Sequence, residues 1–292
     1  MAPAHSTEKP LVRWLRCWRE RCTTFESAAV IFAATAPAHI TSRDNPLLKE
    51  LRKVAQDNTA YRKAGRYWVE GDHLCSAALA RRLRPAVAVF SDDFWPLAPV
   101  EYAQAAIKSI VISSTLFREL SGLESPAGVG FVLDLPTGVT LQNEVASVIL
   151  DRVQDAGNVG SILRSAGAFG FRQVIALKGT AALWSPKVLR AGMGAHFGLN
   201  LLEGVHVDEL QTLLVPIVVT SSHQGELIHK LQLPQPCAWA MGHEGQGVCP
   251  QLMERASVHV RIGQPGGEES LNVAAAAAIC LHASSLVARH GH

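Results

Sequence analysis

Ser147-Val148-Ile149-Leu150-Asp151-Arg152-Val153-Gln154-Asp155-Ala156-Gly157-Asn158-Val159-Gly160 reads as a strand that runs straight into a turn-rich loop. Val148, Ile149 and Leu150 form the short, unbroken apolar run of a strand covered on both faces. A helix follows, with Ile162, Leu163, Ala166 and Phe169 on its apolar side. Further strands are expected at 174–177, 217–220, 238–241 and 258–262, with helical stretches between them. Such alternation predicts an α/β fold with a mainly parallel sheet and ligands at the carboxyl ends of its strands.

Upstream, Pro136-Thr137-Gly138 and the polar Gln142-Asn143-Glu144 have the composition of a linker, placed at 137–145. Before it, residues 39–136 read as a smaller α/β domain. Strands are expected at 67–70, 87–90, 110–113 and 130–135, and helices at 71–82, near Glu101 and near 116–120. It opens with a turn-like 40–46, then Leu47, Leu48, Leu51 and Val54 at helical spacing. Between Arg43 and Arg66 seven basic residues stand against Asp44, Glu50 and Asp57, with Tyr61, Tyr67 and Trp68 close by. That is a modest nucleic-acid signal, weighed equally against a solvated helix face. Residues 1–38 differ from the rest. Arg13, Trp14, Arg16, Trp18, Arg19 and Arg21 precede a short apolar stretch at 28–34. A secretory signal, an ordinary poorly ordered extension and an amphipathic helix all fit that pattern.

With 48% hydrophobic and 18% charged residues, the chain has the composition of a protein with a core. A net charge of +2 argues against a surface coated in basic charge but leaves room for a local basic face. The six cysteines include no C-x-x-C pair, which favours reduced thiols over a metal site or a disulfide framework. No apolar run reaches the roughly 18 residues of a membrane span.

Three loops, each following an expected strand, carry the chemistry. The first holds Asn158 and Gly160, with Arg164 further along the helix and able to point toward the same strand ends. Arginine offers a rigid five-donor fork for phosphate or carboxylate. The second is Met241-Gly242-His243-Glu244-Gly245-Gln246-Gly247, which is neither a Walker-type phosphate loop nor G-x-G-x-x-G. Its Glu244 carboxylate suits either a general base or a loop hydrogen-bond acceptor. The third is Arg261-Ile262-Gly263-Gln264-Pro265-Gly266-Gly267-Glu268-Glu269-Ser270-Leu271-Asn272-Val273. Its glycines permit close backbone approach, and Ser270 is the expected N-cap of the alanine-rich helix that follows.

Together the three loops resemble the motifs of the SpoU/TrmH-type RNA ribose 2′-O-methyltransferases of the SPOUT superfamily. Asn158, Gly160 and Arg164 match the first motif; Gly242, Glu244, Gly245 and Gly247 the second; Ile262, Gly266, Glu269, Ser270, Leu271, Asn272 and Val273 the third. The stretches 186–191 and 193–195 are similar too, and Ser42, Asn45-Pro46 and Val69-Glu70-Gly71 look like that family's small substrate-binding domain. The resemblance covers 39–292. The chain departs from it at Ala156, Gly263-Gln264 and Ala274, where the family usually has Pro, Pro-Met and Ser.

The resemblance implies a SPOUT methyltransferase domain at 146–292, with a deep trefoil knot, preceded by a ribosomal-protein-like RNA-binding domain at 39–136. It implies S-adenosylmethionine as cofactor, no metal, and a homodimer formed through the C-terminal domain. Cofactor contacts would come from Gly242, Gly245, Gly247, Ile262, Gly266 and Leu271. Arg164, Asn158, Glu244, Ser270 and Asn272 would serve the methyl transfer. Because arginine stays protonated, Arg164 is read here as a phosphate anchor and alkoxide stabiliser and not as a base. RNA, ribosomal in preference to transfer, would meet Arg43, Lys49, Arg52, Lys53, Arg62, Lys63, Lys187 and Arg190. The location implied is cytoplasmic. Rival readings are a base-modifying SPOUT enzyme, a non-catalytic knotted RNA-binding protein and an α/β oxidoreductase. The last lacks a G-x-G-x-x-G after its first strand.

Overall fold

The computed structural model describes residues 36–221, 225–266 and 271–288. The expectations placed on 1–35, on Glu269 and on Ser270 lie outside the described residues.

The first part of the chain runs β1 (Ala38–Ile40), α1 (Pro46–Gln56), α2 (Ala60–Ala64), β2 (Arg66–Glu70), α3 (Asp72–Ala80), β3 (Val87–Ser91), α4 (Val100–Ala105), β4 (Lys108–Ile112), α5 (Ser114–Leu120) and β5 (Val129–Asp134). Its sheet has the order β1-β4-β3-β5-β2. β5 is antiparallel to both neighbours, and the remaining pairs are parallel. α1 starts where Asn45 caps it, its side chain accepting from the Leu47 amide at 2.9 Å, with Pro46 in the first turn. The helix buries Leu48, Leu51 and Val54 against Phe117, Leu120, Ile110 and Ile112. The opposite face of the sheet packs Phe90 and Phe131 under Leu74, Cys75 and Tyr102.

The second part runs β6 (Ser147–Leu150), α6 (Ala156–Ala168), β7 (Gln173–Leu177), α7 (Pro186–Gly192), β8 (Asn200–Val205), β9 (Ile217–Thr220), β10 (Glu226–Leu227), β11 (Ala238–Met241), α8 (Pro250–Arg255), β12 (Val258–Arg261) and α9 (Val273–Ala288). The sheet order is β10-β12-β9-β11-β6-β7-β8, and every neighbouring pair is parallel. Both faces are covered, which is why β6 is buried along its whole length. Val148 and Leu150 join Ile162, Leu163, Trp239 and Leu281 on one face, while Ile149 joins Ile175, Val219 and Leu252 on the other. Each such side chain contributes about 1.5–3 kcal/mol by leaving water. Trp239 is fully buried and keeps its indole hydrogen bond, donating to Ser284 Oγ of α9 at 2.8 Å.

Three strands escaped the sequence reading. β1 is only three residues long, too short to show an alternation, and it begins at Ala38 inside the expected extension. β10 has two residues. β8 contains Asn200, Glu203 and Gly204, all poor strand formers. Glu203 is held there by distant partners: its carboxylate accepts from the Tyr61 hydroxyl at 2.6 Å and the Leu183 amide at 2.7 Å, and pairs with Arg62 at 3.5 Å. This contact, with Tyr67 packed on Trp184 at 4.6 Å between ring centres, joins the two sheets through one continuous core. Among the described residues no helix is long and apolar enough to cross a membrane, and no cluster of three or more His, Cys, Asp or Glu is arranged to hold a metal ion.

Candidate active site

Parallel strands place all their carboxyl ends on one edge, so the loops after β6, β11 and β12 emerge together. The chain order reverses there: β7 and β8 lie to one side of β6, while β11 inserts between β6 and β9 and β12 lies beyond β9.

The loop after β6 ends in a capped helix. Asp155 accepts from the Asn158 amide at 2.7 Å, fixing the first turn of α6. Ala156 is the first residue of that helix, a position that favours proline but does not need it. The glycine at 160 answers a packing demand: a Cβ there would lie 2.3 Å from Ala191 Cβ and 2.8 Å from the Gly192 amide, where α6 crosses α7. In the loop after β11, a Cβ on Gly242 would come within 2.2 Å of the Gly247 carbonyl carbon. His243 and Gly247 pair through both backbone hydrogen bonds, at 3.0 and 2.8 Å, and His243 Nδ1 faces the amides of Gly245 and Gln246 at 3.0 and 3.2 Å. Gly242 is therefore required first by the loop's own closure.

The three loops meet in one chain of side chains. Glu244 accepts from Asn158 Nδ2 at 3.2 Å and from the amides of Gln154 and Asp155 at 3.3 and 3.2 Å. Asn158 Oδ1 in turn accepts from Asn272 Nδ2 at 2.9 Å. Asn272 Oδ1 accepts from the amides of Ala274 and Ala275 at 2.9 and 3.2 Å. Asn272 thus caps α9. Burial pushes the Glu244 carboxyl up, but the hydrogen bonds from its own amide, Asn158, Asp155 and Gln154 outweigh it and hold the group below its ordinary value. These contacts display the loop hydrogen-bond acceptor role expected of it.

Arg164 is not part of this chain. Six positions along a helix from Asn158 amount to about 9 Å of rise and about one and two-thirds turns, which sets Arg164 roughly 120° around the axis from Asn158. It is exposed on α6. Leu271 is 41% exposed, Gly266 has open space beside it, and Gln264 Oε1 in the same loop is buried without a partner among the described residues.

The basic residues have a different fate. Arg43 and Arg52 both pair with Glu119, at 2.9 and 3.3 Å, and Lys49 pairs with Asp44 at 2.9 Å. Arg62 pairs with Glu203 and Arg66 with Asp134. Lys53, Lys63 and Lys187 are exposed and have no ion pair among the described residues, and Arg190 is half-buried on α7 near Gly122. Much of the local charge excess is offset by acids remote in sequence.

Two residues of the site carried no signal of their own. Asp151, at the end of β6, is buried and accepts from the Cys249 amide at 2.6 Å and from Arg152 Nε at 2.8 Å. Arg152 Nη1 donates to Gln246 Oε1 at 3.0 Å. A carboxylate closing a buried strand was the one available cue.

The fold and the three laced loops define an α/β protein, its second sheet all parallel, with an exposed polar site at that sheet's topological switch point. The family described as SpoU rRNA Methylase matches residues 146–282. The 23S rRNA (guanosine-2′-O-)-methyltransferase RlmB of Coxiella burnetii is 34% identical over 200 residues, covering 63% of this chain and 79% of that protein. The 23S rRNA (guanosine(2553)-2′-O)-methyltransferase RlmP of Bacillus subtilis is 28% identical over 246 residues, 83% of this chain and 97% of that protein. In fold, the chain is similar to the SpoU methyltransferase AviRb of Streptomyces viridochromogenes, solved with the cofactor AdoMet, with a TM-score of 0.75 at 22% identity over 85% of this chain and 100% of that one. This chain belongs to the SpoU rRNA methylase family.

Proposed function

We propose that this protein transfers a methyl group from S-adenosylmethionine to a ribose 2′-hydroxyl of ribosomal RNA. The observation that carries the reading is the Glu244–Asn158–Asn272 chain, which unites three sequence-distant motifs at the sheet's carboxyl edge. When bound, the cofactor supplies a methyl group already activated by the sulfonium. The chain's residues then have to orient the hydroxyl, stabilise charge on its oxygen and exclude water. Asn158 is suited to the first task. Each of its polar ends is fixed by one hydrogen bond, leaving one N–H and one lone pair for a substrate. Asn272 holds the third loop to the first while capping α9. Ser270 is assigned to the reacting ribose by its motif.

The residues fit the cofactor. Backbone of the loops at 242–247 and 262–266 would form the slot, with Gly242, Gly245, Gly247, Ile262, Gly266 and Leu271 as its lining. Exposed Leu271 offers an apolar surface to an adenine ring.

The order in which β11 returns between β6 and β9 supports a trefoil knot, the arrangement in which the last loop passes through the earlier crossover. Residues 39–136 are taken as the RNA-binding domain and 146–292 as the methyltransferase domain, joined by 137–145. A homodimer is supported by α9: Ala275, Ile279, His282 and Leu286 are exposed at spacings of four, three and four, Ile279 at 41% and Leu286 at 44%. α9 packs on α6, which carries Arg164, so a second copy seated there is served by Arg164 as phosphate anchor and alkoxide stabiliser. The location proposed is the cytoplasm.

The test is methyl transfer in vitro. Purified protein, S-adenosylmethionine and unmodified ribosomal RNA are incubated, and 2′-O-methylation is mapped by resistance to alkaline cleavage. One new resistant position is expected. Methyl incorporation that leaves alkaline cleavage unchanged would place the modification on a base, and no incorporation into any RNA would refute the activity.

A further inference from the structure

Arg152 stands apart from the three motifs, yet it is built into the site more firmly than any residue in them. Its backbone lies in the left-handed region, at φ 59°, which a side-chain-bearing residue adopts rarely and keeps only when its surroundings hold it. Three anchors do so. The guanidinium donates to Asp151 through Nε at 2.8 Å and Nη2 at 3.3 Å. The Arg152 amide donates to Thr180 Oγ1 at 3.1 Å. The aliphatic stem lies over Gly179, where an added Cβ would come within 3.2 Å of Arg152 Cγ. The fourth contact reaches outward: Nη1 donates to Gln246 Oε1 at 3.0 Å, and Gln246 lies in the His243–Gly247 turn. Arg152 thereby ties together the carboxyl ends of β7, β6 and β11, three adjacent strands.

The inner side of the second loop is held by Glu244 to the backbone of Gln154 and Asp155 and to Asn158. Its base is held by Asp151 to the Cys249 amide. The exposed tip at Gln246 is held to the first loop by Arg152. We propose that Arg152 is a positioning residue that sets the affinity for S-adenosylmethionine by fixing the tip of the His243–Gly247 turn through Gln246. The inference rests on the methyl-transfer reading above. It separates two functions in one side chain: the Asp151 pair serves the fold, and the Gln246 contact serves the cofactor.

Arg152→Lys and Gln246→Ala test the separation. Lysine keeps a charge for Asp151 but cannot span both partners, since it lacks the planar fork. Calorimetry with S-adenosylhomocysteine as probe is expected to show roughly tenfold weaker binding for each variant, the worth of one charge-assisted hydrogen bond. Thermal unfolding should stay near wild type. The double variant is expected to be no weaker than either single one, because both remove the same contact. In steady state the loss should appear in KM for the cofactor and not in kcat. Wild-type affinity in Gln246→Ala, or additive losses in the double variant, would overturn the proposal. Should Arg152→Lys fail to fold, Gln246→Ala alone decides. A wild-type chain that binds no S-adenosylhomocysteine counts instead against the methyl-transfer reading itself.

Discussion

The edge of the second sheet and the basic surface of the first start from similar sequence signals and end differently. At the sheet edge, Asn158, Glu244 and Asn272 are far apart in the chain and hydrogen-bonded in space. Just before and along α1 and α2, the cations cluster in sequence, and Arg43, Arg52 and Arg62 are each taken up by an acid from elsewhere. The spacing of motifs after strands survives folding, because parallel strands carry every such loop to one edge. A local charge count does not survive, because each acid that folding brings near cancels part of it. The lesson is that position along an element is a better guide to a site than charge along a segment.

The sharpest way to break this comparison is Arg164→Ala. Arg164 is motif-defined yet exposed and outside the hydrogen-bonded chain. Removing the proposed alkoxide stabiliser is expected to lower single-turnover methyl transfer about 10²–10³-fold while S-adenosylhomocysteine binding is retained. Unchanged turnover would remove Arg164 from the site. Asn158→Ala comes next. Cutting the link between Glu244 and Asn272 leaves the three loops unlocked, and a misplacement of that kind is worth about a hundredfold in rate. Equal single-turnover rates would show the chain to be scaffolding only.

Smaller effects sharpen the other side. Lys53→Ala, Lys63→Ala and Lys187→Ala are each expected to reduce the salt dependence of RNA binding by about one unit of slope. Arg43→Ala should change it less, since that guanidinium already pairs with Glu119 at 2.9 Å. Filter binding across a salt series reads both, and equal slopes for all four would favour the plain charge count. The smallest effect is one of pH. The folded Glu244 carboxyl titrates below its ordinary value of 4.5, so what it lends to stability is complete above that value and fades as pH falls through the folded pKa. Glu244→Gln should flatten that acid limb in denaturant midpoints measured against pH. An acid limb as steep as that of wild type would assign it to other carboxylates.

Local pattern told most about β6, β9 and β11, whose expected and observed limits coincide. It told little about β8, a strand that Asn200, Glu203 and Gly204 would not form alone. The Tyr61 hydroxyl and Leu183 amide hold Glu203 in place from afar. Ser270, the expected cap of α9, lies outside the described residues. Asn272 is not singled out by sequence as a cap, and only the structure shows its oxygen reaching two helical amides while its nitrogen reaches Asn158.

Sequence alone determined the α/β alternation, the three loops and the residues Asn158, Glu244 and Asn272, because strand periodicity and loop chemistry are local properties of the chain. Only the tertiary structure decided that Glu244 ties the second loop to the first, that Gly160 and Gly242 serve close packing, that most of the basic cluster is paired, and that Asp151 and Arg152 hold the second loop. Each of those depends on which groups meet across long stretches of chain, and hydrogen bonding, burial and charge pairing are set by neighbours in space.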